Sequence, residues 1–187
     1  MVRDAGVFSL VYPAVNFDGN YDGGLGNGSD SFSLEDLESN VLWKMNYSDA
    51  APWPSGTDGE GRSLVYAGGA TSDPGSWRPS VAIGGNPGIS DRVPFESGTD
   101  LVGYALVSQQ VVLNRATEVI FEVMGKAGAD DVMMTPVVSG DLEIWTSEGV
   151  TLKSQEPMAN GMVRRLWRVA PGASDERFFF RLQLELR

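Results

Sequence analysis

The sequence predicts an all-β chain, built as two successive antiparallel units with one short helix in the second. Three observations carry this. The 23 glycines and 10 prolines are spread through 187 residues with no repeating period, as many short strands joined by turns require. Several segments alternate apolar and polar residues, most clearly Phe178, Phe180, Leu182, Leu184 and Leu186 against Phe179, Arg181, Gln183, Glu185 and Arg187. At 42% hydrophobic, with five tryptophans and eight phenylalanines, the chain can bury a core.

Taken in order, residues 2–13 show a weak helical or turn pattern, with Val7, Phe8, Val11 and Tyr12 to one side. Asn16 to Gly28 is a loop, because its Gly, Asn and Asp residues tolerate positive φ. Ser31 to Leu37 reads as a strand, Glu38-Ser-Asn40 as a turn, and Val41 to Tyr47 as the hairpin partner. An aromatic–proline loop follows around Trp53, then a short strand over Arg62 to Ala67. Residues 68–90 carry Gly-Gly, Asp-Pro-Gly and Asn-Pro-Gly breakers and are expected to be irregular. The units are therefore 1–90, a linker over 91–100, and 101–187. In the second unit, Asp100 to Val107 fits a short helix and Glu118 to Met124 a strand with Val119, Phe121 and Val123 on one face. Gly125 to Asp131 reads as a hairpin connection, with Asp130 and Asp131 at a solvated tip, and Val132 to Val138 as the returning strand. A further strand is expected to begin at Leu142, Ile144 and Trp145, before a turn at Glu148-Gly149. Met162 to Val169 and Phe178 to Leu186 close the chain.

Composition excludes whole classes of chemistry. There is no cysteine and no histidine, so thiol nucleophiles, Cys/His zinc sites and His-dependent triads are impossible. The net charge is −11 and neither half is basic, so nucleic acid is not an expected partner. Arg164, Arg165 and Arg168 form the one basic cluster, read as a solvated strand end. No apolar run approaches the ~18 residues of a membrane span. The first residues are too short and polar a stretch for a signal peptide, so an export signal is expected outside this sequence.

A set of blocks in a fixed order characterises the first unit: Tyr21-Asp-Gly-Gly-Leu-Gly-Asn-Gly28, Phe32-Ser-Leu-Glu-Asp36, Tyr47-Ser-Asp-Ala-Ala-Pro-Trp-Pro54, Asp58-Gly-Glu-Gly-Arg-Ser-Leu64, Pro74-Gly-Ser-Trp77 and Gly84-Gly-Asn-Pro-Gly88. Together they resemble the later part of a bacterial lamin tail domain, which implies an immunoglobulin-like β-sandwich. The strands that open such domains are absent, so the sequence is expected to be a fragment with an unpaired sheet edge. Residues 98–187 resemble the C-terminal tail module of large secreted Verrucomicrobia-type proteins, through Leu101-Val-Gly-Tyr-Ala-Leu106, Ala129-Asp-Asp-Val132, Ser139-Gly-Asp-Leu-Glu-Ile-Trp145 and Arg177-Phe-Phe-Phe-Arg-Leu182. Relatives often carry a calcium loop ahead of this module. Ser90 to Asp100 lacks the alternating oxygen ligands, and the metal is not carried over.

The function these resemblances imply is a non-catalytic structural or adhesive module of a secreted or surface-associated bacterial protein. Its partner would be an extracellular polymer or protein, or the preceding part of the same polypeptide. The alternative is an accessory carbohydrate- or calcium-binding module attached to an extracellular hydrolase. Trp53 and Trp77 are the aromatic ligand-contact candidates, although aromatics among prolines more often pin a loop to the core. Asp49 and Asp58, with Glu60, are the candidate calcium carboxylates, and their spacing suits turns better than a metal. Ser63, Ser139 and Ser154 have no histidine to activate them, a Ser–Lys pair with Lys44, Lys126 or Lys153 stays open with no spacing to support it, and Met133 and Met134 read as core filler. No catalytic, cofactor or metal residue is assigned.

Overall fold

Ser29–Glu35 (β1) and Val41–Ser48 (β2) form the antiparallel hairpin that their alternation predicts, in a computed structural model that describes residues 1–114, 118–170 and 178–187. Arg177 of the resembling C-terminal segment lies outside the described residues. The hairpin turn is organised by Asp36, whose Oδ1 accepts from the Glu38 and Asn40 amides at 2.9 Å each, with Ser39 at φ 66°. The Asn40 side-chain amide, donating to Asp36, leads the bonds that hold this carboxyl below its ordinary range. The strands form a two-stranded sheet. Met45 is buried, whereas Phe32, Leu34, Val41 and Leu42 remain exposed.

Ahead of the hairpin, Ala5–Val11 (α1) is a short helix capped by the Asp4 carboxylate, which accepts from the Val7 amide at 2.9 Å. After it, Leu64–Tyr66 (β3) pairs antiparallel with Trp77–Pro79 (β4). The second of these lies in the tract expected to be irregular. Only three residues long, it carries no readable period, and it is held by burial: every residue from Ser76 to Ser80 is buried.

In the second half, Leu101–Ala105 (α2) is capped by Asp100 and runs directly into a strand, Leu106–Asn114 (β5). Glu118–Lys126 (β6), Val150–Met158 (β8) and Met162–Val169 (β9) complete a four-stranded antiparallel sheet in the order β5-β6-β9-β8. Val132–Ser139 (β7) and Phe179–Leu186 (β10) form a separate antiparallel pair. Phe121, Val123 and Trp167 of the larger sheet pack with Phe180, Leu182 and Met134 of the smaller one, and the Phe121 and Phe180 rings stack at 6.2 Å. This is the sandwich core of an all-β chain. The predicted strands over 162–169 and 178–186 are thereby realised, with Phe180, Leu182 and Leu184 turned to apolar clusters.

Three expectations are corrected. Gly125 to Asp131 is a crossover between sheets and not a hairpin connection, since β6 pairs with β5 and β9 while β7 pairs with β10. Its Asp130 and Asp131 are fastened by arginines, with side chains only 12% and 14% exposed. Leu142 to Trp145 is not a strand: Asp141 Oδ1 accepts from the Glu143 and Ile144 amides and curls the chain into a turn. Only Thr146 bridges to Val138, and Trp145 instead sits under the Arg181 guanidinium, 4.4 Å from the ring centroid. Met133 is exposed, so only Met134 fills core space.

Candidate functional site

Arg78, 1% exposed at the centre of β4, organises the interior. Its Nε and Nη2 donate to the two oxygens of Asp130 at 2.6 Å each, and Nη2 and Nη1 donate to Asp91 at 2.6 and 3.2 Å. Asp91 also accepts from the Val81 amide at 2.8 Å. One guanidinium thus joins residues from 1–90, from the expected linker and from 101–187. Burial alone would lower the Arg78 pKa, but the two carboxylates reverse this and raise it above the ordinary arginine value. Burial likewise opposes ionisation of Asp91, and the Arg78 hydrogen bonds overcome it, so its carboxyl lies below the usual range. Beside this network Arg92 pairs with Asp131, the Phe95 amide donates to Asp131 at 2.7 Å, and the Tyr104 hydroxyl donates to the Val93 carbonyl.

The pH consequence has a definite sign. A carboxylate with a depressed folded pKa contributes stability that is present above its unfolded value, ~3.9, and lost as pH falls through the folded value. The melting temperature is therefore expected to hold from pH 7 to about 4 and to fall below that. In Asp91→Asn the fall below pH 4 should be shallower. An acid limb of unchanged steepness in that variant would rule out Asp91 as a contributor.

Two cavities flank Asp130. The larger, about 860 Å³, is lined by Tyr12, Tyr66, Asn86, Asp91 and Arg92, among others. The second, about 380 Å³, lies against the inward face of the four-stranded sheet and is lined by Trp167, Leu152, Met134, Arg165 and Arg187, together with Asp73 and Asp130. Arg165 shares strand parity with the buried Val163, Trp167 and Val169, and so projects from the apolar face of β9. Val123 and Gln155, both 0% exposed, flank it on the neighbouring strands. Its Nε donates to Gln155 Oε1 at 3.1 Å. Gln155 in turn donates to the Pro74 carbonyl at 2.9 Å and binds Pro54's segment, its own carbonyl accepting from the Ser55 amide at 2.8 Å. Burial pushes the Arg165 pKa down to about 10, so the group stays charged at neutral pH at a desolvation cost. The expectation of a solvated basic strand end is thus corrected for Arg165, while Arg168 is exposed as expected. Arg164 reaches Glu122 at 3.0 Å and Glu156 at 3.3 Å on the opposite face, and Arg165 turns inward.

The residues singled out in the sequence fall elsewhere. Trp77 is buried, ringed by Trp43, Trp53 and Tyr66 at 6.4, 6.3 and 5.1 Å, and its Nε1 donates to the Thr71 carbonyl at 2.9 Å. Trp53 is half-buried in the same cluster. Both pin loops to the interior. Asp49 and Asp58 are exposed, and Asp49 lies beside Gly28, whose carbonyl accepts from the Asp49 amide at 2.8 Å. Among the described residues no group of three or more carboxylates converges as a metal site would need. Sequence reasoning missed Arg78 and Arg165. For Arg165 a signal existed: a charge on the apolar parity of Val163-x-Arg165-x-Trp167-x-Val169.

Compared with known proteins, the chain matches no family model, and it has no significant match among curated proteins or among solved structures.

Proposed function

We propose that this chain is a non-catalytic structural or adhesive module of a secreted or surface-associated bacterial protein, bearing a lamin-tail-like first unit. The observation that carries the reading is the β1–β2 hairpin. Its two strands and turn leave Phe32, Leu34, Leu37, Val41 and Leu42 exposed, and so much exposed apolar surface on one hairpin marks an interaction site. The polar groups of the interior, by contrast, are engaged in joining loops to the sandwich. The partner that fits is an extracellular protein or polymer with an apolar face.

A second reading, an accessory carbohydrate-binding module, is favoured by the larger cavity, where Tyr12 and Tyr66 stand beside Asn86 and Asp91. One experiment separates the two. The purified chain is tested for retention on isolated bacterial envelopes and on a glycan array, alongside a Leu34→Asp, Leu42→Asp double variant. Envelope retention that drops at least tenfold in the variant, with melting temperature unchanged, supports the adhesive reading. Glycan binding that survives in the variant supports the second reading. Turnover of a polysaccharide or nucleic acid by the chain would sink both.

A further inference from the structure

We propose that the cavity beneath Trp167 is a binding site for a small organic carboxylate with an apolar body, with Arg165 as the carboxylate-recognising residue. This inference does not rest on the adhesive reading above.

The first ground is position. Arg165 projects from the inward face of the central strand β9, between Val123 and Gln155 and next to Trp167. A charge placed there for stability alone would need a carboxylate partner, because an uncompensated charge on an apolar face is costly. Among the described residues no carboxylate lies within ion-pair distance of it, and its Nε donates to the neutral oxygen of Gln155. The nearby acid, Asp130, has both oxygens held by Arg78.

The second ground is the charge balance. Asp130 acts on Arg165 as an opposite charge, but Arg78 and Arg187 act on it as like charges, and Arg187 also lines the cavity. A chain of net charge −11 has thus placed Arg165, Arg187 and Lys126 in the wall of one cavity against Asp73 and Asp130, and Asp130 is already committed to Arg78. A carboxylate entering the cavity would pair with the half-buried cation, and the planar fork of a guanidinium suits two carboxylate oxygens.

The third ground is shape and lining. A volume of about 380 Å³ falls in the range of small-molecule sites. Trp167, Leu152 and Met134 supply apolar wall beside the guanidinium, which favours a ligand with an aromatic or branched apolar body over an inorganic anion.

The test is calorimetric titration and thermal melting with benzoate, with benzamide as its neutral isostere and sulfate as an inorganic anion. The expected result is binding of benzoate with a raised melting temperature, and affinity for benzamide and for sulfate at least tenfold weaker. Arg165→Gln keeps a donor for Gln155 while removing the charge. It should lose benzoate affinity at least tenfold and melt, without ligand, no lower than the parent. Ala70→Trp, which obstructs the cavity from an exposed loop position and leaves the sheet untouched, should lose binding as well, and it serves if Arg165→Gln does not fold. The proposal is overturned if benzoate neither binds nor raises the melting temperature. It is equally overturned if sulfate or benzamide binds as well as benzoate, or if either folded variant binds benzoate as the parent does.

Discussion

Arg78→Met is expected to destabilise the chain by about 3–5 kcal/mol, because it leaves two largely buried carboxylates facing each other with their shared cation gone. The side chain is 1% exposed and its partners Asp91 and Asp130 are 7% and 12% exposed, so water cannot replace the lost charge without opening the interior. For a domain of this size that loss corresponds to a fall in melting temperature of roughly 6–20 °C. The triple variant with Asp91→Asn and Asp130→Asn should recover a large part of it, since the penalty lies in the stranded charges more than in the pair itself. Thermal melts of parent, single and triple variants at pH 7 measure both effects. A single variant within about 1 kcal/mol of the parent would mean that the network adds nothing beyond a surface ion pair.

Trp77→Ala should cost a comparable amount, about 3–5 kcal/mol, through the cavity it leaves among Trp43, Trp53 and Tyr66. The effect differs in kind. Removing Trp77 detaches the aromatic–proline loop and β2 from β4 without touching the sandwich core around Phe121 and Phe180. Chemical denaturation is expected to show a lowered midpoint, and proteolysis to cut first near Trp53. Trp77→Phe, which keeps a ring but not the indole donor to Thr71, should lose less than half as much. An alanine variant as stable as the parent would return Trp77 to the list of ligand-contact candidates.

How far the fold could be read from the sequence depended on where each strand found its partner. β9 and β10 alternate against the sandwich core, β1 and β2 alternate within their own hairpin, and alternation is a local property. β4 was hidden because three residues hold no period and their pairing with β3 crosses a glycine-rich tract. The β6-to-β7 connection was misread for a related reason. A strand that returns in the other sheet has the same alternation as a hairpin partner, and only the anchoring of Asp130 and Asp131 to Arg78 and Arg92 distinguishes them. The network at Arg78 was illegible, since its members are 13 and 52 positions apart. Trp53 and Trp77 were legible as residues of consequence, and their ring of neighbours decides that the consequence is packing.

The tryptophans have a further use. Trp43, Trp53 and Trp77 lie close enough for their rings to couple optically, whereas Trp167 stands apart in the sandwich core and Trp145 lies under Arg181. The near-ultraviolet circular dichroism of the triplet reports whether the loops are seated, and the emission of Trp167 reports what enters the space beside it. Loop release and cavity filling can therefore be watched separately, in one unlabelled sample, by choosing the signal.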